Sequence, residues 1–218
     1  MRVNRYVALA TGLSRRDADR LAQEGKVRVN GKVVEVGYDV TAKDSVSLNG
    51  TTLTLPTFQT LVLNKPIGFV CSRQGQGSQT IYDLLPNSLH HLKPIGRLDK
   101  DSSGLLLMTN DGGLAHRLTH PKFVKRKIYE VTLNKGLAKK HLEMITQTGV
   151  TLEDGVSRIR LTSTNDDFRE WTVVMHEGRN RQIRRTFATL GYTVKKLHRT
   201  NFGDYTLDGV ATGTYKLL

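Results

Sequence analysis

The sequence predicts an α+β protein in two parts: a small N-terminal unit of helices against a short sheet over residues 1–55, and a domain over residues 60–218 built on a mixed, mainly antiparallel sheet with inserted helices. Three observations lead there. Residues 1–50 alternate between helical spacing and Asn-Gly hairpin signals. A proline-bearing stretch of little periodicity, Leu55-Pro56-Thr57-Phe58-Gln59, separates them from the rest, and beyond it short β runs outnumber helical ones. A length of 218 residues suits this division, at roughly 150 residues per domain.

Val3, Tyr6, Val7 and Ala10 recur at helical spacing, and Gly12 ends that helix. Ser14, with Asp17 three residues on, forms a capping box that opens a second helix through Ala18, Leu21 and Ala22; Gly25 closes it in a left-handed conformation. Val27 and Val29 then alternate with polar residues, Asn30-Gly31 supplies a tight hairpin turn, and Val33, Val34 and Val36 form the return. Val46, Leu48 and the pair Asn49-Gly50 predict one more hairpin. In the larger domain the patterning predicts strands at 61–63, 68–70, 104–108, 128–133, 171–175 and 192–197, and helices near 80–85, 112–119, 137–147 and 181–190. No repeat and no low-complexity tract is visible.

The charge balance, 33 Lys+Arg against 20 Asp+Glu for a net +13, predicts a polyanionic partner. No apolar run reaches the ~18 residues needed to cross a bilayer and no signal-peptide core is visible, so a soluble, cytoplasmic protein without a membrane partner is expected. A single cysteine, Cys71, argues against a disulfide scaffold, and the absence of zinc-type Cys/His spacing argues against a structural metal. His116 and His120 stand four apart but lack an H-E-x-x-H pattern and an evident third ligand, so no metal site is expected. Gly75-x-Gly77 reads as a flexible turn. Residues 1–50 hold nine Lys+Arg and six Asp+Glu, and Arg2, Arg5, Arg15, Arg16, Arg20, Lys26 and Arg28 crowd the first half of that span. A solvated helix surface and an RNA-binding face both produce such a cluster.

Gly96-Arg97-Leu98-Asp99-Lys100-Asp101-Ser102-Ser103-Gly104-Leu105 places two carboxylates in a polar loop immediately before an apolar strand. Loops at strand ends carry reactive groups on a rigid support, but an Asp-rich turn bonded to its own backbone has the same composition. The residue pattern alone leaves both open.

Two resemblances bear on the choice. The order helix, S-R-R-x-A-D, helix, G-x-V-x-V-N-G-K resembles the S4 RNA-binding domain, which implies that the basic cluster holds structured RNA. The loop G-R-L-D-x-D-[ST]-x-G-L is similar to the signature loop of the pseudouridine synthases, and to the branch acting on small- and large-subunit ribosomal RNA that carries an N-terminal S4 domain. Three further segments match in order: Asn64-Lys65-Pro66-x-Gly68, Lys127-Ile128-Tyr129-Glu130-Val131, and Glu177-Gly178-Arg179-Asn180-Arg181-Gln182-Ile183-Arg184-Arg185. The resemblance implies a pseudouridine synthase fold with Asp99 as the catalytic carboxylate, Tyr129 stacked on the target uracil, and Arg184 as the guanidinium that keeps Asp99 charged. It further implies that Arg97 holds or displaces the flipped nucleotide, that Ile183 lies against the uracil, and that Lys65 packs near the active loop as part of the substrate site. Asn180 and Gln182 belong to the same substrate-binding motif, and Arg179, Arg181 and Arg185 read as phosphate contacts, since residues 177–199 carry seven Lys+Arg and one Glu.

The implied reaction breaks the N1–C1′ bond of uridine and joins C5 to C1′ without redox change, so no cofactor is expected. The expected partner is ribosomal RNA or a precursor particle, met by a monomer. Lys100 and the run Val194-Lys195-Lys196-Leu197-x-Arg199-Thr200 look more like the large-subunit enzymes, which favours 23S rRNA over 16S. A non-catalytic S4-type RNA-binding or assembly protein would show the same charge, and a metal-free nuclease is a third reading.

Overall fold

A computed structural model describes residues 1–120 and 122–218. The chain forms two compact units, Met1–Phe58 and Gln59–Leu218.

In the first unit, α1 (Val3–Thr11) buries Val3 and Val7 and stops at Gly12, whose φ of +78° lets its N–H reach the Ala8 carbonyl. Ser14 caps α2 (Arg15–Gln23) by accepting from the Asp17 N–H at 3.1 Å. Its far end is a Schellman turn: Gly25, at φ +69°, donates to Ala22 O and Lys26 donates to Leu21 O. The strands β1 (Val27–Val29), β2 (Lys32–Val33), β3 (Val46–Leu48) and β4 (Thr51–Thr52) form one sheet in the order β2-β1-β3-β4. Both hairpins turn on Asn-Gly pairs with positive φ at each residue, 51° and 79° at Asn30-Gly31 and 50° and 83° at Asn49-Gly50, which matches the twist of the flanking strands. The core is nearly all small and β-branched: Val3, Val7, Ala18, Ala22, Val27, Val29 and Val46. The return strand after Asn30-Gly31 ends at Val33, short of the predicted Val36.

The second unit is built on an eight-stranded sheet. Its members are β5 (Thr60–Lys65), β6 (Lys93–Ile95), β7 (Ser103–Thr109), β8 (Lys127–Leu133), then, after a two-stranded hairpin of β9 (Val150–Leu152) and β10 (Gly155–Ser157), β11 (Arg160–Ser163), β12 (Glu170–Met175), β13 (Val194–Phe202) and β14 (Tyr215–Leu217). The order is β11-β12-β8-β13-β7-β5-β14, with β6 beside β7; among the described residues of this sheet only the β13–β7 pairing is parallel. The helices are α3 (Gly112–Thr119), α4 (Lys139–Glu143) and α5 (Gln182–Thr189), with one-turn 3₁₀ helices at Ile81–Leu84 and Asn87–Leu89.

The central strands β5 and β7 read as continuous apolar runs because each face of the sheet has its own core. Leu61, Leu63, Leu106 and Met108 join one cluster, whereas Val62, Leu105 and Leu107 join the other with Ile95, Leu118 and Phe202. That is the period-two geometry of a strand buried on both sides. Among the described residues no helix is long and apolar enough to cross a membrane.

Three sequence expectations need correction. The segment 68–70 is not a strand: Gly68, at φ +97°, turns its N–H onto Lys100 O, and only Val70 makes a bridge, to Thr80. Tyr192 belongs to the end of α5, where its N–H closes on Phe187 O beyond a left-handed Gly191, so β13 starts at Val194 and runs on to Phe202. The helix expected at 137–147 is α4 followed by a wider turn at Met144–Thr148.

Candidate active site

The loop 96–102 joins β6 to β7, and each carbonyl from 99 to 102 is held. Asp99 O accepts from Ser102 N at 3.1 Å and from Lys65 Nζ at 3.1 Å, and Lys100 O accepts from Gly68 N at 2.8 Å. Asp101 O accepts from Arg184 Nη2 at 2.7 Å, and Ser102 O from Lys65 Nζ at 2.7 Å. A loop with every carbonyl in this stretch engaged presents its side chains without a search, which is the condition for a preorganised site.

Lys65 is fully buried at the end of β5, and its ammonium spends all three donors on Pro66 O, Asp99 O and Ser102 O. Burial pushes its pKa below the usual lysine value, opposed by Cys71, Asp101 and Asp99. Lys65, expected among the substrate-binding residues, is fully buried and organises the loop from beneath.

Asp99 is half-buried, with Arg181 Nη1 at 3.4 Å from Oδ2. Arg181 also grips Asp101 in a two-pronged fork, Nη1 to Oδ1 at 3.1 Å and Nη2 to Oδ2 at 3.0 Å. Arg184, expected beside Asp99, instead sets its Nε 3.2 Å from Asp101 Oδ2 and donates to the carbonyls of Asp101 and Val194. Backbone geometry explains the exchange. Arg181 is the N-cap of α5 with φ +45° and ψ 31°, a left-handed conformation that directs it toward the loop, while Arg184, one turn further on, passes under the loop backbone. Burial lowers the Arg184 pKa, and Asp101 ahead of Asp99 supports its charge.

The Arg181 hydrogen bonds, reinforced by the Arg184 charge against a desolvation penalty, hold the Asp101 carboxyl below its ordinary pKa of 3.8. A carboxyl depressed in the folded state adds stability that is present above its unfolded pKa and is lost as pH falls through the folded value. In a carbon-detected NMR titration the Asp101 carboxyl is therefore expected to titrate below 3.8, and to move upward in Arg181→Ala. An unmoved midpoint in that variant would contradict the fork.

Asp99 opens onto a cavity of about 620 Å³ whose lining includes Arg97, Tyr129, Ile183, Leu197 and Arg199. That volume lies within the range of small-ligand sites, roughly 300–1,000 Å³. Tyr129 stands on β8, 9% exposed, beside Val173 of β12 and Arg199 of β13. Ile183 is 5% exposed on the first turn of α5, and Arg97 is an exposed residue on the cavity lining. Among the described residues no group of three or more potential ligands could hold a metal.

The remaining sequence candidates divide. Asn180 and Arg181 line the cavity and are exposed. Gln182 also lines it but is 2% exposed, with its amide committed to Ser157 Oγ and Glu177. Arg179 and Arg185, expected to meet phosphates, are clamps on the β9–β10 turn: Arg179 binds Asp154 and the carbonyls of Asp154, Gly155 and Val156, and Arg185 binds Asp154 at 2.7 Å. Both are paired with the hairpin that packs against α5, in partly exposed contacts. Arg199 was not anticipated as a site residue. The available signal was a charge at an inward position of a strand, since Val194, Leu197, Arg199 and Phe202 are all buried.

In the first unit, Arg2, Arg15, Arg16, Arg20, Lys26 and Arg28 are exposed, and Arg5 is partly so. Arg2 pairs with Asp39, Arg20 with Asp17 and Glu24, and Lys26 with Glu24. Arg15 bonds Asn4 and Arg28 bonds Gly31 O, whereas Arg5 and Arg16 make no ion pair among the described residues. Exposed pairs of this kind are worth ~0–1 kcal/mol, so phosphates can displace them.

Comparison with known proteins agrees with this geometry. The model of the RNA pseudouridylate synthase family matches residues 59–189, and that of the S4 domain residues 1–46. A Bacillus subtilis (strain 168) protein named ribosomal large subunit pseudouridine synthase B is 40% identical over 97% of this chain and 89% of its own. The ribosomal small subunit pseudouridine synthase A of Vibrio vulnificus (strain CMCP6) is 34% identical, over 100% of this chain and 96% of its own. A crystal structure of a pseudouridylate synthase superposes with a TM-score of 0.70 at 30% identity, covering 100% of this chain and 96% of that one.

Proposed function

Because the chain belongs to the RNA pseudouridylate synthase family, we propose that it converts one uridine of ribosomal RNA to pseudouridine, and that Asp99 is the catalytic residue. The observation that carries this reading is the placement of Asp99, on a loop held at each carbonyl from 99 to 102, at the wall of a cavity that Tyr129 and Ile183 also line. Residues 60–218 serve as the catalytic domain, and residues 1–55 as the RNA-binding domain through Arg2, Arg5, Arg15, Arg16, Arg20, Lys26 and Arg28.

The reaction breaks N1–C1′, turns the uracil, joins C5 to C1′, and moves a proton from C5 while N1 gains one; the sum is an isomerisation. Attack on C1′, attack on C6 and removal of a ribose proton all begin from the same ionised carboxylate. Arg181 is the cation at Asp99, and Arg184 acts as a positioning residue through Asp101. Everting the base from its stack costs a few kcal/mol. Stacking on the Tyr129 ring, worth ~1–3 kcal/mol, offsets part of that, with Arg97, Asn180 and Arg181 facing the same space.

The target is 23S rRNA in the cytoplasm. The 40% identity to a protein named for the large subunit, against 34% to one named for the small subunit, supports that choice. The test is to map pseudouridine across the rRNA of cells with and without the gene. One 23S uridine is expected to lose its modification and to regain it when the gene is restored. A change confined to 16S rRNA would overturn the choice of target, and no change in either RNA would overturn the reading itself.

A further inference from the structure

The cavity lining includes two cations that the isomerisation does not use, Arg199 and Lys127. Arg199, 3% exposed on β13, donates from Nε to Leu105 O at 2.8 Å, but its Nη2 has no hydrogen-bond partner among the described residues. Lys127, at the start of β8, donates to the backbone carbonyl of Glu177 at 3.1 Å. Both lie over one ring, with Arg199 Cζ at 5.0 Å and Lys127 Nζ at 5.5 Å from the centroid of Phe202. Neither makes an ion pair among the described residues, and the Glu177 carboxylate is occupied by Arg179 and Gln182.

Two like charges brought together beside an unfilled donor lack the anion that would compensate them. Burial first, and then the Arg199 charge, lower the Lys127 pKa, with Glu177 opposing. Gly178 lies against the pair: a Cβ there would come within 3.2 Å of Lys127 Nζ.

The position of the pair indicates which anion it takes. A second hollow of about 910 Å³, lined in part by Lys125, Arg158 and Arg160, shares Leu118, Thr119, Lys127, Met175, Gly178 and Arg179 with the first, and Arg199 lies on the first cavity's side of that wall. An RNA strand with one base in the first cavity and its neighbour over the second must carry its linking phosphate across that shared wall. Resting on the reading of the site given above, we propose that Lys127 and Arg199 together seat the backbone phosphate directly beside the everted uridine.

The test uses synthetic RNA hairpins carrying the uridine identified by the mapping above. They are made with natural linkages, with an uncharged methylphosphonate on the 5′ side of that uridine, or with one on the 3′ side. The full-length protein and its Arg199→Met and Lys127→Met variants are compared in kcat and KM. One of the two methylphosphonates is expected to raise the wild-type KM about 10- to 100-fold, the effect of losing charge-assisted hydrogen bonds, with kcat changed less than about 3-fold. Each variant should show most of that rise on natural RNA and respond little to the methylphosphonate. Lys127→Met leaves the Arg199–Leu105 bond intact, and the wild-type comparison needs no substitution, so a folding defect in Arg199→Met does not obscure the result. Indifference of the wild type to both methylphosphonates, or an undiminished further loss in both variants, overturns the proposal. Absence of pseudouridine from natural RNA treated with wild type overturns the reading of the site and the proposal with it.

Discussion

Asp99→Asn is expected to bind RNA as the wild type does while forming pseudouridine at least about 10⁴-fold more slowly, the scale of losing a group that acts on the reacting atoms. The substitution keeps the shape of the side chain and removes only its charge. Folding should scarcely change, because the pair with Arg181 is partly exposed and worth no more than ~0–1 kcal/mol. Arg181 also retains its fork on Asp101. The loop carbonyls that fix residue 99 belong to the backbone and are unaffected. A gel-shift titration beside a product assay checks both halves. Lost binding would mean that Asp99 orders the RNA site instead of reacting in it.

Gly104→Ala should produce a large loss of stability. Gly104 has φ +105°, and a Cβ built there would fall 2.2 Å from Arg199 O and 2.6 Å from Arg199 N. These are backbone atoms of the neighbouring strand in the parallel β13–β7 pairing, where Arg199 faces Gly104, so no rotamer change relieves the clash. Backbone strain and overpacking each cost roughly 1–3 kcal/mol. A loss of about 3 kcal/mol or more follows, which for a unit of this size lowers Tm by about 6–12 °C. Calorimetry measures it directly; a change under a few degrees would show that the two strands can separate freely. Since Gly104 follows the loop that bears Asp99, activity should fall along with stability.

What was legible in the sequence was local. Ser14 and its N–H acceptor geometry, the two Asn-Gly turns and the glycine stops after α1 and α2 involve residues within a few positions of one another, and each has one favoured conformation. The small edge strands β6, β9, β10, β11 and β14 have three or four residues apiece, too few for a period of two to stand out from chance. Charges were harder still. Composition counts Arg179 and Arg185 as cations for phosphate, but whether they are spent depends on Asp154, which is 25 and 31 residues distant. Likewise Lys65 is a lysine in a motif until the fold brings carbonyls from positions 99 and 102 onto its ammonium. Which arginine meets Asp99 turned on the left-handed backbone of Arg181, a conformation that side chains other than glycine and asparagine rarely adopt and that spacing does not forecast.

The most direct measurement is tritium release from 5-tritiated uridine in rRNA isolated from cells lacking the gene. Because C5 must give up its hydrogen to bond C1′, wild-type protein should release one tritium for each RNA molecule modified, and Asp99→Asn none above background. Equal release by the two proteins, or none by either, would contradict the account.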